Sequence, residues 1–418
     1  MHPLTSIIDR LVNPLPESVL FRAGGIGKDA PVGIYLHIPY CPTICAFCAF
    51  SKKPDIPEER DRYVKALATE VDLFAEKFKH NPVEWVYFGG GTPSTLSGKQ
   101  LKQIMASVSR LNLRNETSVT FEARLDTLTP SALSNYREAG INRLSVGVQT
   151  LDNEERRKFG LRLKSNAVCS KLGLMSKSHI PYNVDLIFGA PAQRDPTIWR
   201  QTLSTVLAFR PDQITAYLYM PLEGTRTHRS YRSCNFLQKK QMSDILVEMM
   251  ADAGYLNNDI FMFTREKTTA NTPYADISMV ASETMIVGFG QSAYSFFGKH
   301  AAVNPLDAAG YIRAVTAKKD IPFLAVRYNW LMKALRKGAA WTTRLNKTAF
   351  LRGSRFNLWQ IFFVSVLWVW IYTLIRNWNT RSPLVSYTTG TDWRKKSINW
   401  KKLDLDQIHA NVDMVQRE

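Results

Sequence analysis

Three of the five cysteines in this chain fall within eight residues, at Cys41, Cys45 and Cys48. They directly follow the apolar stretch Gly33–Ile38, which predicts a buried strand, so we expect them in the loop at its carboxyl end. Three thiolates at this spacing can converge on one metal centre but cannot complete a four-ligand site. An iron–sulfur cubane held by three cysteines keeps one iron without a protein ligand, and that iron can bind and activate a small molecule.

A structural zinc site and a disulfide are the alternatives. Zinc needs a fourth ligand, which His37 could supply from four residues before Cys41. A disulfide needs an oxidising compartment, whereas residues 1–20 contain charges and several prolines and lack the apolar core of a secretory signal. We therefore expect a cytoplasmic protein whose clustered thiols bind metal. Cys169 and Cys234 stand alone and are interpreted as small core residues.

Strands and helices alternate along the chain up to about residue 220. The predicted strands are Gly33–Ile38, Trp85–Phe88, Ser118–Phe121, Arg143–Val148, Asn183–Phe188 and Gln213–Tyr219. The predicted helices include Glu58–Phe78, Ser97–Leu111, a segment from Thr129-Pro130 to Ala139, Asn153–Phe159, Asn166–Ser176, Pro196–Phe209 and Gln238–Ala253. Repeated βα units imply a parallel sheet with right-handed crossovers. Six units predict an α/β fold of the open, partial (β/α)6 TIM-like type.

Chemically useful residues stand where these strands end. Glu122 follows the third strand and Gln149 the fourth, Asp185 lies in the fifth, and Gly89–Gly91 follows the second. In parallel α/β barrels this edge carries the chemistry. The glycine run lacks the Lys-Ser/Thr of a Walker motif and the spacing of a dinucleotide fingerprint. Its glycines would let the backbone approach a ligand closely; a simple tight turn is the alternative, as is a solvated acid for Glu122.

Taken in order, these segments resemble the radical S-adenosylmethionine (SAM) superfamily, and within it the oxygen-independent coproporphyrinogen III oxidase-like (HemN/HemW) family with its heme chaperones. The resemblance spans roughly residues 31–300 and rests on Tyr35–Cys48, Phe88–Ser94, Phe121–Ala123, Arg143–Gln149, Asn183–Gly189 and Gly288–Ser295. Several linked motifs in the same order are more specific than any one of them.

The resemblance implies a [4Fe-4S] cluster held by Cys41, Cys45 and Cys48. SAM would chelate the open iron, and an electron from a reducing donor would release a 5′-deoxyadenosyl radical; the protein supplies binding and orientation. The positions that match contacts to this SAM are Tyr35, Gly90 and Glu122. No catalytic residue beyond these cofactor contacts is assigned.

A second SAM is left open. The positions that match its contacts in the coproporphyrinogen oxidases are Phe47, Gly91, Thr92, Gln149 and Asp185. However, Leu161 stands where the family usually has arginine, and the neighbouring Arg162 is turned about 100° away if the segment is helical. Gln149 and Asp185 could instead contact a porphyrin or the first SAM.

Two further departures bear on the reaction. Ala49-Phe50-Ser51 stands where the decarboxylating oxidases commonly carry another cysteine, and residues 1–30 lack their Arg/Tyr-rich segment. Both favour a chaperone-like or divergent porphyrin-acting branch. We therefore expect a radical SAM protein that acts on or handles a tetrapyrrole. The alternatives are a heme chaperone that binds and delivers heme without turnover, and an RNA-modifying radical SAM enzyme.

The strong basic charge belongs mainly to one segment. Net charge is +18, but residues 327–402 contain 15 Lys/Arg and one acid, together with eight of the ten tryptophans. We therefore expect no nucleic-acid partner for the body of the chain. The sequence predicts an N-terminal extension (1–30), a radical SAM core (31–300) and a small, mainly helical C-terminal region (301–418) that is family-like only at its start. Three accounts of 358–375, which carries no charge, stay open: a buried helix, a membrane-contacting helix, or part of a frame-shifted tail.

Overall fold

A parallel sheet forms the centre of the protein. The computed structural model describes residues 29–190, 193, 195–222, 225–228, 233–259, 262–265, 285–297, 300–317 and 324–327. All of these lie within one compact unit, Asn13–Lys347. The predicted segment 358–375 and all of the basic segment after Arg327 lie outside the described residues. The predicted domain boundaries at residues 30 and 300 stay predictions.

The strands and helices are as follows. In chain order the strands are β1 (Val32–Ile38), β2 (Tyr40–Cys41), β3 (Lys53–Pro54), β4 (Pro82–Gly90), β5 (Asn112–Ala123), β6 (Arg143–Gln149), β7 (Tyr182–Phe188), β8 (Gln213–Leu218), β9 (Tyr255–Asp259), β10 (Met262–Arg265), β11 (Met285–Phe289), β12 (Tyr294–Phe297), β13 (His300–Val303) and β14 (Leu324–Arg327). The helices are α1 (Pro57–Phe78), α2 (Gly98–Val108), α3 (Pro130–Glu138), α4 (Asn153–Phe159), α5 (Ser165–Ser176), α6 (Pro196–Ala208), α7 (Phe236–Asp252) and α8 (Ala308–Thr316).

The six predicted βα units are confirmed. Strands β1, β4, β5, β6, β7 and β8 lie side by side in that order, each parallel to the next. The sheet continues beyond both ends of this set: β11 pairs parallel with β1, and β12–β14 follow as antiparallel strands. On the other side β10 and β9 add to β8, also antiparallel. The sheet is therefore an open partial barrel, as predicted, with edge strands that the sequence mostly did not reveal.

Local sequence sets the helix ends. Ser97 caps α2 in a reciprocal capping box with Gln100, as its position before the helix predicted. Thr129 caps α3 with Pro130 in its first turn, and Gly140 follows with φ of +88°, a conformation that glycine adopts without strain. Among the helices that the structure describes, none is both long and apolar enough to cross a bilayer.

The two faces of the central sheet differ in polarity. On β1, Val32, Ile34, Leu36 and Ile38 are completely buried, and burial of each such side chain contributes about 1.5–3 kcal/mol. Side chains alternate along a strand, so Tyr35 and the residues level with it on neighbouring strands face the other way. That inner face carries polar pairs at i and i+2: Thr120 and Glu122, Arg143 and Ser145, Asn183 and Asp185, Gln213 and Thr215. The barrel interior is thus a hydrogen-bonded polar layer.

Candidate functional site

The three clustered thiols lie together beyond the end of β1. Cys41 is buried and Cys45 and Cys48 are half-buried. Burial raises the pKa of all three thiols, that of Cys45 to about 11; the charge of Cys48 adds to the increase at Cys41 and Cys45, and the charge of Glu122 adds to it at Cys48. Lys52 and Arg124 oppose this increase in pKa. The three thiols are thus partly desolvated and lie near two cations, which suits a group that carries negative charge on its sulfurs.

Several strand ends fix this cysteine-bearing loop. Arg124, which follows β5, donates to the carbonyl of Thr43 at 3.1 Å. Lys52 donates to the carbonyl of Cys48 at 2.7 Å. The amide of Ala46 donates to the carbonyl of Phe159 at the end of α4, at 2.9 Å. The loop is thus held by contacts from β5 and α4 as well as by its own chain.

Thr92 connects the glycine run to the cysteines. Its buried hydroxyl donates to Sγ of Cys41 at 3.3 Å, which favours the thiolate form of that cysteine. The sequence had suggested Thr92 as a contact to a second SAM. The structure shows it in contact with the first cysteine, a role that the sequence did not reveal.

Both ring nitrogens of His37 make hydrogen bonds, which argues against a role as a zinc ligand. Its Nε2 lies 3.0 Å from the carbonyl of Ser51, and its Nδ1 lies 3.1 Å from the Tyr35 hydroxyl. Burial lowers the pKa of His37 to about 4, so the ring is neutral at pH 7. A neutral ring with Nε2–H donating to Ser51 and Nδ1 accepting from Tyr35 uses both nitrogens. Within the described residues, no three His, Cys, Asp or Glu side chains are arranged to hold a single ion.

The glycine run is needed for packing within the protein. A Cβ on Gly90, whose φ is +114°, would lie 2.7 Å from the His37 ring. A Cβ on Gly91 would lie 2.6 Å from the backbone of Pro39. From the sequence we interpreted these glycines as allowing a ligand to approach the backbone closely. The structure shows that two of them, Gly90 and Gly91, also need to be glycine because neighbouring residues of the protein fill the space of a Cβ.

We expect Gly91→Ala to separate the glycine run from the end of β1. The added Cβ clashes with backbone that cannot rotate away, so the free energy of unfolding should fall by about 1–3 kcal/mol, and retention of iron after reconstitution should fall with it. Gly98→Ala is the matched control, because its Cβ would lie 3.5 Å from Asn135, an ordinary contact. Chemical denaturation and iron analysis measure both effects. Equal behaviour of the two variants would contradict the prediction.

Tyr35, Gly90 and Glu122, the positions predicted to contact SAM, lie together. The Tyr35 ring stacks on Tyr87 at 6.2 Å between centroids, and the Tyr87 hydroxyl donates to Glu122 Oε1 at 2.8 Å. Burial raises the pKa of Glu122 to about 8; the hydrogen bonds from Tyr87 and the Gly90 amide oppose this, and the charge of Asp185 adds to it. The carboxyl group is thus largely protonated at pH 7 and can both donate to and accept from ligand hydroxyls.

Asp185 belongs to the polar layer inside the barrel. It accepts hydrogen bonds from Ser145 at 3.1 Å and from Asn183 at 2.8 Å. Burial raises the pKa of Asp185 to about 6, although these bonds and the buried Arg143 favour its ionised form. Arg143 in turn donates to Thr120 at 3.3 Å and to Gln213. Sequence reasoning missed Arg143, Asn183 and Gln213, yet polar residues at every second position of strands predicted as apolar were a usable signal.

Gln149 is held in a strained conformation. Its φ is +66°, which is rare for a residue other than glycine and often marks functional positions. Its side-chain nitrogen lies over Gly147, where a Cβ would approach it to 2.5 Å. Arg156, which is buried, donates to the carbonyls of Val148 and Thr150 at 2.9 and 2.7 Å. These bonds fix the backbone on both sides of Gln149.

Phe47 packs against apolar residues. Its ring packs on Phe159 at 4.8 Å between centroids, within a cluster that also includes Leu161 and Tyr217. The five positions suggested for a second SAM therefore fall in different surroundings: Asp185 and Gln149 in or beside the polar layer, Thr92 and Gly91 in packing at the loop, and Phe47 in the apolar cluster.

The loop at 288–295 packs against β1, α1 and the end of the cysteine-bearing segment. The hydroxyl of Ser51 donates to Ser292 at 3.0 Å, and the hydroxyl of Tyr63 donates to the carbonyl of His37 at 2.7 Å. The same Tyr63 hydroxyl accepts from the Gln291 amide at 2.8 Å. Gly290 has φ of +94° and comes so close to Tyr63 that a Cβ would lie 2.4 Å from its hydroxyl. This explains the motif at 288–295, whose role the sequence had left open.

Comparison with known proteins agrees with this arrangement. A family model for the radical SAM superfamily matches residues 35–200. The oxygen-independent coproporphyrinogen III oxidase of Pseudomonas aeruginosa is 28% identical over 67% of this chain and 65% of its own length. The anaerobilin synthase of Escherichia coli O157:H7 is 31% identical over 70% of this chain and 67% of its own length. The heme chaperone HemW of Bacillus subtilis is 27% identical over 69% and 77%.

A solved structure shows the same fold. Coproporphyrinogen III oxidase (HemN) from Escherichia coli superposes with a TM-score of 0.69 at 22% identity, covering 81% of this chain and 83% of the other. The match to the Pseudomonas oxidase and to a Buchnera HemW covers 65% and 64% of their lengths, slightly under two thirds.

An open parallel barrel with three cysteines after its first strand defines a class of cluster-binding proteins. The chain belongs to the radical SAM superfamily and, within it, to the HemN/HemW-like family. Membership implies a [4Fe-4S] cluster and SAM, and the residues present fit both. The cysteines need not converge on one point, because a cubane binds each at a separate iron. Tyr35 and Glu122 both contact Tyr87, and the Gly90 amide donates to Glu122; that these residues hold SAM stays a prediction.

Proposed function

We propose that this protein binds a [4Fe-4S] cluster through Cys41, Cys45 and Cys48 and uses SAM bound beside it to act on a tetrapyrrole. The observation that carries the proposal is the group of three buried or half-buried thiols beyond β1, with Glu122 and Gln149 at the ends of β5 and β6 and Tyr35 in β1 beside them. When bound and reduced, the cluster would supply the electron that converts SAM into a 5′-deoxyadenosyl radical. A reducing donor protein is therefore a partner, and the reduced thiols suit the cytoplasm.

The chain's own residues bind, orient and shield. Thr92, Lys52 and Arg124 stabilise negative charge on the cysteines. Glu122 would hold hydroxyls of the SAM ribose, and its raised pKa lets it donate as well as accept. Asp185, fixed by Ser145 and Asn183, would hold a polar group of SAM or of the substrate. Restraint of the reacting groups in this way lowers the entropy cost of the reaction.

Tetrapyrroles are proposed because the relatives act on them or handle them. The matched relatives are named coproporphyrinogen III oxidase, anaerobilin synthase and heme chaperone HemW. Ala49-Phe50-Ser51 replaces the further cysteine expected of decarboxylating oxidases, and Ser51 instead bonds to Ser292. We therefore propose a tetrapyrrole substrate without committing to coproporphyrinogen decarboxylation.

Anaerobic reconstitution tests the proposal. The full chain is loaded with iron and sulfide, reduced with dithionite, and supplied with SAM and, in turn, coproporphyrinogen III, protoporphyrin IX and heme. We expect about four irons per chain and 5′-deoxyadenosine formation that at least one tetrapyrrole stimulates. Absence of 5′-deoxyadenosine with every tetrapyrrole, despite a full cluster, would contradict the enzyme proposal.

A heme chaperone is the second candidate, favoured by the HemW relatives and by Ala49-Phe50-Ser51 in place of a further cysteine. In the same assay it would retain heme stoichiometrically, without SAM consumption. The RNA-modifying alternative depended on the basic segment 327–402, most of which lies outside the described residues. RNA binding that weakens steeply with salt would support it, and the absence of such binding would dismiss it.

A further inference from the structure

A partly exposed apolar cluster reaches the cysteine-bearing loop through Phe47. We call it the apolar wall: Phe47, Leu161 and Tyr217 are half-buried and pack on a buried base of Phe159, Ile187, Ala190 and Tyr219. Phe47 stands between Cys45 and Cys48 in the chain, so the wall begins at the predicted cluster. None of the residues discussed above as SAM contacts except Phe47 belongs to it.

The apolar wall is built to keep its shape. The Phe47 and Phe159 rings lie 4.8 Å apart, and Phe159 and Tyr219 lie 5.7 Å apart. The Ala46 amide donates to the Phe159 carbonyl at 2.9 Å, and the Thr227 amide donates to the Ala46 carbonyl at 3.3 Å. Preformed apolar surfaces with a few polar groups nearby are typical of small-molecule sites.

The apolar wall does not suit a second SAM. SAM presents a carboxylate and an ammonium group, which lose hydration in contact with the apolar wall unless charged partners replace it. The members of the wall are aromatic or aliphatic. Arg162, next to Leu161, is exposed and acts electrostatically on Asp126. Two other positions suggested for a second SAM already make contacts within the protein. Gly91 packs closely on the backbone of Pro39, and the Thr92 hydroxyl donates to the Cys41 thiol.

We propose that the apolar wall binds the flat, apolar face of the substrate's ring system, and that this chain binds one SAM. The inference rests on the proposed function, because it places the tetrapyrrole beside the cysteine-bearing loop and next to the polar layer proposed to receive SAM, on the same face of β7 and β8. The half-buried Phe47 and Tyr217 are aromatic residues of the kind that stack on flat ring systems, and Leu161 adds an aliphatic side chain to the same cluster. Leu161 is thus a specificity-determining residue.

The test uses the full, reconstituted chain and two binding measurements. Equilibrium dialysis with radiolabelled SAM counts molecules per cluster, and fluorescence titration with protoporphyrin IX measures affinity for a flat, apolar macrocycle. Leu161→Arg is compared with the control Leu163→Arg, which adds the same charge two residues away, outside the wall. Leu161→Met, which conserves volume, guards against a general folding defect.

We expect one SAM per cluster in the unaltered chain. Leu161→Arg should weaken protoporphyrin IX binding at least tenfold, roughly the effect of a desolvated charge, and leave SAM binding unchanged. Leu163→Arg and Leu161→Met should stay within about threefold. Two SAM per cluster, with the porphyrin displacing one, would overturn the proposal, as would equal porphyrin affinity in both arginine variants.

These results separate the inference from the proposed function. Leu161-dependent porphyrin binding without SAM cleavage would sink the enzyme proposal and leave the apolar wall as a heme-type site. SAM cleavage stimulated by a tetrapyrrole whose binding ignores Leu161 would sink the inference alone.

Discussion

Cys45→Ala should lose the cluster and, with it, all SAM cleavage. Cys45 is the middle of the three cysteines, its thiol is desolvated, and its charge is coupled to the other two. Two remaining cysteines cannot hold a cubane that needs three protein ligands. We expect iron content after reconstitution to fall to background, together with the visible absorption of the cluster and the yield of 5′-deoxyadenosine.

Cys169→Ala is the matched control for this experiment. Cys169 is also a half-buried free cysteine, but it lies on α5. Its replacement should leave iron content and SAM cleavage unchanged, which separates loss of a ligand from loss of any thiol. A Cys45→Ala protein that still assembles a full cluster and cleaves SAM would refute the assignment of the ligands.

Local signals predicted the parallel core well. Each strand of the six βα units carries apolar residues on its buried face and is joined to the next by a segment with a helix, and Ser97 and Gly140 mark helix ends through their own conformational preferences. These patterns act over a few residues, so one sequence is enough to find them. The three cysteines Cys41, Cys45 and Cys48 also lie within eight residues, so their grouping could be found in the same way.

Long-range contacts explain what was missed. Glu70 on α1 bonds to the amide of Gly290, 220 residues away, and no periodicity connects two such positions. The glycine run shows a second reason why sequence alone was insufficient. A sequence shows that Gly90 and Gly91 have no side chain, but whether a ligand or His37 and Pro39 fills that space depends on the fold.

Glu70 on α1 accepts a hydrogen bond from Gly290 in the loop at 288–295, and its replacement should have the second large effect. The carboxylate is buried and accepts from the Gly290 amide at 2.8 Å, from Asn304 at 2.8 Å and from the Tyr311 hydroxyl at 2.6 Å. Glu70→Ala leaves three buried donors without this acceptor. We expect a loss of about 3–5 kcal/mol in the free energy of unfolding, measured by chemical denaturation.

The pH dependence of stability offers a finer test at the same residue. Burial raises the pKa of Glu70 from 4.5 to about 7 in the folded protein. Between these values the folded state holds more protons than the unfolded state, so Glu70's contribution to stability is greatest below pH 4.5 and decreases as pH rises to about 7. Glu70→Gln should remove that decrease, whereas the control Glu76→Gln, at an exposed position of α1, should keep it. An unchanged pH profile in Glu70→Gln would show that Glu70 is ionised throughout, and that its three donors outweigh the cost of burying the charge.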